Sequence, residues 1–502
     1  MLVMWILAPV LCMERNPLLA LLRLILVDYR NTLYSAFLPM LSSAVFDNTG
    51  KPYDVTKILT PDFLFDEAAY KAYSPVYLPI TYVLSYAVQF ASLSALVTHT
   101  ACWHGRDIWR QSKKAFTERY DDEPKPNYKP IPTAPDTNLP GRPSKLPQAS
   151  TEDMMSGAED VHYRLMRRYP DAPIHWYLTT FLIMLLTGIF VVEYYPIHLP
   201  WYGLLLALTI PFLLFIPVGI IMAITNQHSS LYLICQLTAG YLFPGAPIAN
   251  MVFVNYSYIA SAQGIKFSAD LKLGHYMKIP PRLLFGVQIA ATLLSSLSQI
   301  AVLNWTFTHL PDLCAPTAPN GFTCPLARVH FNGSILWGLV GPSRFFLGPT
   351  ALYRHLIWAF PLGALAPPLC YLIAKRRGPR SLWRYLNLPV LLGSLAWIPP
   401  ATTLNFAPWV LIAFGFNHRL RVRGAEWWAK YTMTLSAALD SGLAFAVLVV
   451  FFGVVYPGWM AGWGWWGTRV YKEGCDWRGC AWLGLREGER FGGGGGVELV
   501  GG

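Results

Sequence analysis

The sequence predicts an all-α polytopic membrane protein, a bundle of about eight to ten transmembrane helices with broken or re-entrant segments. Hydrophobic residues make up 54% of the 502 residues, whereas charged residues make up 13%. Soluble chains carry roughly 25% charged residues. Apolar runs of the length that a bilayer requires recur along the chain, and short basic stretches separate them.

Six apolar runs are predicted to span the membrane as helices, because backbone groups in lipid must be hydrogen-bonded within their own segment. These runs are 77–99, 176–195, 201–224, 283–305, 353–374 and 432–456. Two further runs are interrupted. Residues 231–260 contain FPGAP at Phe243–Pro247, and residues 388–415 contain IPPAT at Ile398–Thr402. A weaker run, 331–348, also holds glycines and a proline.

The formal net charge of +11 fits two classes of protein, one that binds nucleic acid and one with basic cytoplasmic loops. The basic residues cluster between the apolar runs, which favours cytoplasmic loops and predicts no nucleic-acid partner. These basic stretches are 105–173, 266–282, 375–384 and 417–430. With them on the inner side, residues 42–74 and 306–330 are predicted to lie outside.

The two interrupted runs are predicted to be broken or re-entrant hairpins. Each lies between stretches assigned to the cytoplasmic side, so each must enter and leave the membrane on the same side. Irregular backbone at membrane depth is tolerated only where it lines protein or a water-filled cavity, and paired interrupted helices often mark a ligand-binding site. The alternative is a pair of ordinary proline-kinked helices.

Ionisable groups within membrane spans are costly and are therefore candidate functional groups. Asp440 lies among small residues in the last run and is a candidate carboxylate for proton coupling. The alternative is a packing carboxylate that bonds to a neighbouring hydroxyl. His99, near the inner end of its run, is a candidate proton relay, although a lone histidine is more often structural.

Uncharged polar residues surround the first break and form a candidate binding site. Amide side chains and the ends of broken helices can bind the ammonium and carboxylate groups of a zwitterion. They can equally hydrogen-bond between helices with no ligand present. The candidate residues are Asn226, Gln227, His228, Tyr241, Asn250, Asn255 and Gln263, with Asn405 in the second interrupted run.

The sequence predicts no metal site, no cofactor and no enzyme. Its eight cysteines show no C-x-x-C spacing, and H-E-x-x-H, G-x-S-x-G and G-x-x-x-x-G-K-[ST] are absent. Asp440 has no obvious partner aspartate in a neighbouring run, which weighs against an intramembrane protease. Cys314 and Cys324 flank a turn-rich loop predicted to lie outside and are a candidate disulfide; the alternative is two free thiols.

Longer stretches carry more information than these single residues. Residues 224–282 begin with ITNQHSS and end with KIPPR, residues 341–346 read GPSRFF, and residues 436–445 read SAALDSGLAF. These stretches resemble the oligopeptide transporter (OPT) family, in its peptide-transporting fungal and plant branch. The likeness extends over roughly 31–105, 155–310 and 320–470.

The resemblance implies a multi-pass symporter that imports small oligopeptides, driven by protons. Its substrates would be tetrapeptides, pentapeptides or glutathione-like thiols, and its usual location would be the plasma membrane. The implied partners are a small peptide, protons and the lipid bilayer, while the oligomeric state stays open. A metal-chelate transporter of the same family is the alternative.

The chain departs from the family pattern, because members are longer and carry an NPG motif and several spans before the region matched here. A non-functional truncated remnant is therefore a further alternative. The predicted organisation is 1–104, an outer loop and the first spans, with an atypical insertion at 12–30; 105–173, a cytoplasmic proline-rich linker and amphipathic helix; 174–457, the transmembrane transporter core; and 458–502, a Gly- and Trp-rich tail.

The KIPPR stretch is predicted to form an elbow at the inner end of the run 283–305. Pro280 and Pro281 fit the first turn of a helix, where a missing N–H costs nothing. Lys278 and Arg282 are predicted to anchor the loop at the cytoplasmic face. The alternative is that they recognise the carboxylate of a peptide.

Overall fold

The computed structural model describes much of the chain between residues 32 and 492. It leaves out 40, 41, 43, 119–164, 167, 226–230, 311–312, 315–323, 349–350, 379–380, 396–402, 460–465 and parts of 471–488. The predicted insertion 12–30 and the tip of the second interrupted run therefore lie outside the described residues. Where the structure is described, its regular elements are helical, and β-bridges are confined to isolated pairs within residues 46–77.

The α-helices are numbered in chain order. They are α1 (Glu67–Tyr73), α2 (Ile80–Glu118), α3 (Ile174–Tyr194), α4 (Trp201–Thr225), α5 (Tyr232–Leu242), α6 (Pro247–Val254), α7 (Ala260–Met277), α8 (Pro281–His309), α9 (Pro325–Ser334), α10 (Ala359–Arg377), α11 (Leu388–Leu395), α12 (Thr403–Phe414), α13 (Arg421–Arg423), α14 (Ala425–Val450) and α15 (Trp466–Arg469). Wider π-helical turns occur at Asn255–Ile259, Ile335–Val340, Ser343–Leu347, Gly415–Leu420 and Phe451–Val455. Tighter 3₁₀ turns occur at Thr32–Phe37, Val55–Ile58, Arg354–Trp358 and Leu382–Arg384.

Within the described residues, six helical segments are long and apolar enough to cross a membrane, and they coincide with the six predicted spans. The helical membrane bundle expected from the sequence is thus confirmed. The first span differs in length, because α2 continues past residue 99 to Glu118 and so takes up the start of the predicted linker 105–173. No proline interrupts the chain between residues 100 and 118, so the helix has no strong breaker there.

Helix α2 makes the most extensive helix–helix contacts in the described part of the chain. It runs beside α10 and α11, and Ser92 donates a hydrogen bond to the carbonyl oxygen of Pro389 at 3.3 Å. At Gly363 the backbones of α10 and α2 approach so closely that a Cβ atom would overlap Ala91. Glycine at this position therefore permits the contact between the two helices, as small residues do in membrane bundles.

Two of the membrane-spanning helices are packed far less than α2. No residue of α8 or of α14 is buried, and apolar side chains such as Leu294 (68% exposed) and Phe445 (69% exposed) stand on their surfaces. In water such exposure would be costly, whereas in a bilayer it is the ordinary surface of a spanning helix. The buried core lies instead around α2, α5, α6 and the π turn Ile335–Val340.

Candidate functional site

The first interrupted run folds as a helical hairpin. Helix α5 ends at Leu242, Gly245 adopts a left-handed conformation with φ of 82°, and Pro247 begins α6 at a position where its missing N–H costs nothing. The two arms pack against each other. The returning arm is longer than predicted, since it continues through a π turn into α7 and ends at Met277. Residues 260–277 contain no proline that would have stopped it.

A second break crosses the first. The weaker apolar run forms a buried π turn, Ile335–Val340, which ends at Gly341 with φ of 85°. The N–H of Gly245 donates a hydrogen bond to the carbonyl oxygen of Gly338 at 2.9 Å, so the two breaks are joined directly. A Cβ atom on Gly240 would overlap the carbonyl group of Trp337. Glycines on both segments thus allow two irregular backbones to meet inside the bundle.

Two buried amide side chains lie beside this crossing. Gln236 on α5 and Asn250 on α6 are each 1% exposed, and Asn250 donates a hydrogen bond from Nδ2 to the backbone oxygen of Gln236 at 3.1 Å. Their own side-chain oxygens, Oε1 and Oδ1, accept no hydrogen bond from the described residues. A buried acceptor without a donor costs about 1–3 kcal/mol. We refer to Gln236 and Asn250 as the amide pair.

Aromatic hydroxyl groups and one imidazole surround the amide pair. Tyr232, one turn before Gln236, forms a 3.0 Å hydrogen bond with Nδ1 of His330 on α9. Helix α9 can come this close because its residue 333 is glycine. A Cβ atom on Gly333 would lie only 2.6 Å from the amide nitrogen of Gln236 and 2.9 Å from the hydroxyl of Tyr232. The polar groups at the breaks therefore come from the hairpin of α5 and α6 and from α9, which is far from that hairpin in the sequence.

At the same crossing, Trp337 donates a hydrogen bond from Nε1 to the hydroxyl of Tyr86 at 3.2 Å. Tyr86 donates in turn to the hydroxyl of Tyr82 at 3.0 Å, and both tyrosines lie on α2. Trp337 is fully buried, so this chain of hydrogen bonds fixes the π turn to the central helix. The sequence did not single out these residues, nor Gln236, Tyr232 and His330. Gln236 alone gave a visible signal, as a polar residue within the apolar stretch LYLICQLTAG.

Among the predicted binding residues whose side chains the structure describes, Asn250 is the one that lies in this buried site. Tyr241 is 63% exposed, and Asn255 and Gln263 are exposed on the returning arm. Asn405 lies within α12. The remaining three candidates, Asn226, Gln227 and His228, lie outside the described residues.

The two predicted proton-coupling residues lie on different helices. His99 is 6% exposed on α2, its ring centroid is 5.8 Å from that of Trp103, and its Nδ1 accepts or donates no hydrogen bond among the described residues. Asp440 is exposed on α14, a helix with no buried residue. No hydrogen bond within the described part of the chain links either residue to the amide pair, so their roles stay predictions.

The KIPPR stretch joins α7 to α8. Lys278, the C-cap residue that follows α7, adopts the left-handed conformation, with φ of 62°. Pro280 and Pro281 begin α8. Arg282 donates a hydrogen bond from Nε to the backbone oxygen of Asp171 at 3.2 Å, which ties the elbow to the segment before α3. Elsewhere, the loop between α8 and α9 is closed by a disulfide between Cys314 and Cys324.

A cavity of about 870 Å³ lies beside the crossing, between the segment that holds α1 and the π turn Ser343–Leu347. Pro244 and Val340, at the two breaks, form part of its wall. Three charged side chains also line it, Glu67 and Lys71 of α1 and Arg344 of the π turn. A hydrogen bond from Lys71, and then the positive charges of Lys71 and Arg344, hold the pKa of the exposed Glu67 carboxyl below its usual value of 4.5.

These features define a polytopic helical membrane protein with buried polar groups at interrupted helices, an arrangement that secondary transporters use. A family model described as OPT oligopeptide transporter protein matches residues 1–454. The chain therefore belongs to the OPT oligopeptide transporter family, a family of multi-pass integral membrane transporters and not of enzymes. No solved structure matches the chain.

Several relatives of this chain are named as transporters. Glutathione transporter 1 of Schizosaccharomyces pombe is 39% identical over 92% of this chain and 50% of the relative. Oligopeptide transporter 7 of Arabidopsis thaliana is 37% identical over 88% of this chain and 52% of its own length. Oligopeptide transporter 1 of Saccharomyces cerevisiae is 33% identical over 92% of this chain and 53% of its own. The chain thus spans about half the length of the relatives that it matches.

Proposed function

We propose that this chain acts in the import of small oligopeptides, tetrapeptides, pentapeptides or glutathione-like thiols, by proton-coupled symport across the plasma membrane. The observation that carries the proposal is the amide pair at the crossing of two helix breaks. Its side-chain oxygens, which accept no hydrogen bond from the residues that the structure describes, are placed to accept hydrogen bonds from the ammonium or amide N–H groups of a peptide. The names of the relatives support the same class of substrate.

Proton coupling is proposed to use titratable groups at membrane depth. The pair of Tyr232 and His330 is one candidate, because it borders the amide pair and an imidazole can change its charge in the physiological pH range. His99 and Asp440 remain the other candidates, as the sequence suggests. A charged group at this depth is costly unless it has a partner, so binding of a proton and binding of a zwitterion can favour each other.

The test is uptake of a labelled tetrapeptide or of labelled glutathione at pH 5 and pH 7, in cells that lack their own peptide transporters. We expect uptake that rises at acid pH and falls at least about tenfold in Asn250→Leu, since a hydrogen bond to a charged ligand is worth roughly 1.5–3 kcal/mol. Asn255→Leu is the matched control, because it removes an exposed amide five residues away on the same arm. Equal loss in both variants, at equal surface expression, would contradict the proposed site.

The metal-chelate alternative is separated by the same assay. If a metal–chelate complex were the true substrate, the labelled complex would be taken up and the labelled tetrapeptide would not. Absence of uptake of any of these substrates by this chain, at normal expression, would favour the truncated remnant over a working transporter.

A further inference from the structure

The cavity beside the helix breaks has the size of a ligand pocket, and positively charged side chains outnumber negatively charged ones in its lining. Its volume of about 870 Å³ lies within the range of about 300–1,000 Å³ that is typical of small-ligand sites. Aromatic side chains, among them Tyr70 and Tyr353, form an apolar wall. The charged groups are one carboxylate, Glu67, and two cations, Lys71 and Arg344, so their sum is one positive charge.

Arg344 is held rigidly on the side of the π turn. Its Nη1 donates a hydrogen bond to the backbone oxygen of Val340 at 3.2 Å, and its guanidinium carbon lies 4.6 Å from the centroid of the Phe65 ring. Its side chain is 36% exposed, which is enough for a ligand to reach it. A guanidinium fixed in this way loses little further conformational entropy when it binds a planar anion.

Glu67 already holds the position that such an anion would take. Its Oε2 lies 3.3 Å from Nη2 of Arg344, and its Oε1 lies 3.0 Å from Nζ of Lys71. The carboxylate is supplied by the first residue of α1, whose N-cap Asp66 accepts a hydrogen bond from the N–H of Ala69. Because Glu67 is 54% exposed, its ion pairs are weak and can be exchanged for those of a ligand.

We propose that the cavity is a subsite for the C-terminal carboxylate of a peptide, in which Arg344 binds the carboxylate and Glu67 is a built-in competitor that the ligand displaces. The inference deepens the proposed function and rests on it for the class of ligand. It assigns the carboxylate end of the peptide to the cavity and leaves the amide pair for the N–H groups. Exchange of one carboxylate for another keeps the net charge of the arginine site unchanged, so displacement does not strand a buried charge.

The inference is tested by binding, independently of transport. The purified 502-residue chain in lipid nanodiscs is titrated at pH 7 with a labelled tetrapeptide that has either a free or an amidated C-terminus. We expect the free acid to bind at least about tenfold more tightly than the amide, since hydrogen bonds between charged partners are roughly twice as strong as neutral ones. Glu67→Gln should tighten binding of the free acid several-fold, because it removes the competitor, and should leave the amide unchanged.

Arg344→Gln should weaken binding of the free-acid peptide and so abolish the difference in affinity between the free-acid and the amidated peptide. The affinity of the amidated peptide serves as the internal control, because a variant that still binds it at the wild-type level is folded. Lys57→Gln is a second control, since Lys57 lies outside the cavity lining and its side chain is 55% exposed, and we expect a change of less than about threefold.

Two outcomes would overturn the inference while leaving the proposed function standing. One is equal binding of acid and amide by the wild-type chain, and the other is weaker binding of the acid in Glu67→Gln. Binding of neither peptide by the wild-type chain would instead overturn the proposed function together with the inference.

Discussion

The crossing of the two helix breaks should be highly sensitive to a single methyl group at Gly240. In Gly240→Ala the new Cβ atom would overlap the carbonyl group of Trp337 and would lie 3.0 Å from Cδ of Pro342. The overlapped atoms belong to backbone and to a proline ring, so no flexible side chain can move aside. Overpacking of this kind costs about 1–3 kcal/mol. Alanine also favours the helix over glycine by about 0.5–1 kcal/mol, which partly offsets the cost.

Gly286→Ala in α8 isolates the overlap, because a Cβ atom at Gly286 meets no heavy atom within 4 Å. Both variants gain the same helix preference, so the difference between their stabilities reports the overlap alone, about 1–3 kcal/mol. The assay is thermal unfolding of the purified chain in detergent, followed by the fraction that remains monodisperse. We expect a lower midpoint for Gly240→Ala and an unchanged or higher midpoint for Gly286→Ala. Equal midpoints would refute the close approach on which the site depends.

Three further predictions concern the charged and sulfur-containing residues. Asp440→Asn should abolish the acid stimulation of peptide uptake while leaving surface expression normal; uptake with an unaltered pH dependence would remove Asp440 from the coupling mechanism. The lowered pKa of Glu67 means that its ion pairs contribute above the ordinary value of 4.5 and are lost only as the pH falls through the lower folded-state value. The gain in affinity of Glu67→Gln for the free-acid peptide should therefore be the same at pH 5 as at pH 7, and a gain that is absent at pH 5 would contradict this. Finally, the proteolytic peptide that contains Cys314 and Cys324 should gain two hydrogens in mass on reduction, and a mass that reduction leaves unchanged would show free thiols.

Much of the architecture follows from composition and from the position of prolines. The six spans were predictable because long apolar runs have one stable form in a bilayer. The FPGAP break was predictable because it combines a glycine with two prolines, and each of these residues weakens a helix. The length of α2 was not predictable, since its polar continuation beyond residue 99 carries neither an apolar period nor a strong helix breaker. Intrinsic helix propensity decides whether such a segment continues as a helix, and it is a weak signal.

The site itself was predictable only in part. Asn250 and Asn255 look alike in the sequence, but five residues correspond to about 500° of helix rotation, so one side chain is buried and the other faces outward. The pairing of Tyr232 with His330 joins residues 98 positions apart, and no local pattern announces it. The sequence indicates that polar side chains will lie near the first helix break. Which amide side chain is buried in the bundle depends on how the second break crosses the first.

Polar groups at membrane depth also occur away from the breaks. On α8, four side chains follow one another at intervals of four, three and four residues, which places Gln288, Thr292, Ser295 and Gln299 on one face. A polar face of this kind is unfavourable against acyl chains, so we expect it to face protein or water in the membrane. Asp440 on α14 is subject to the same argument. The amide pair and these two helix faces are thus separate sets of polar groups, and variants can tell their roles apart. Suppose that Asn250→Leu loses peptide binding, whereas Asp440→Asn keeps peptide binding and loses only the acid stimulation of uptake. This pair of results would assign peptide recognition to the helix breaks and proton coupling to α14.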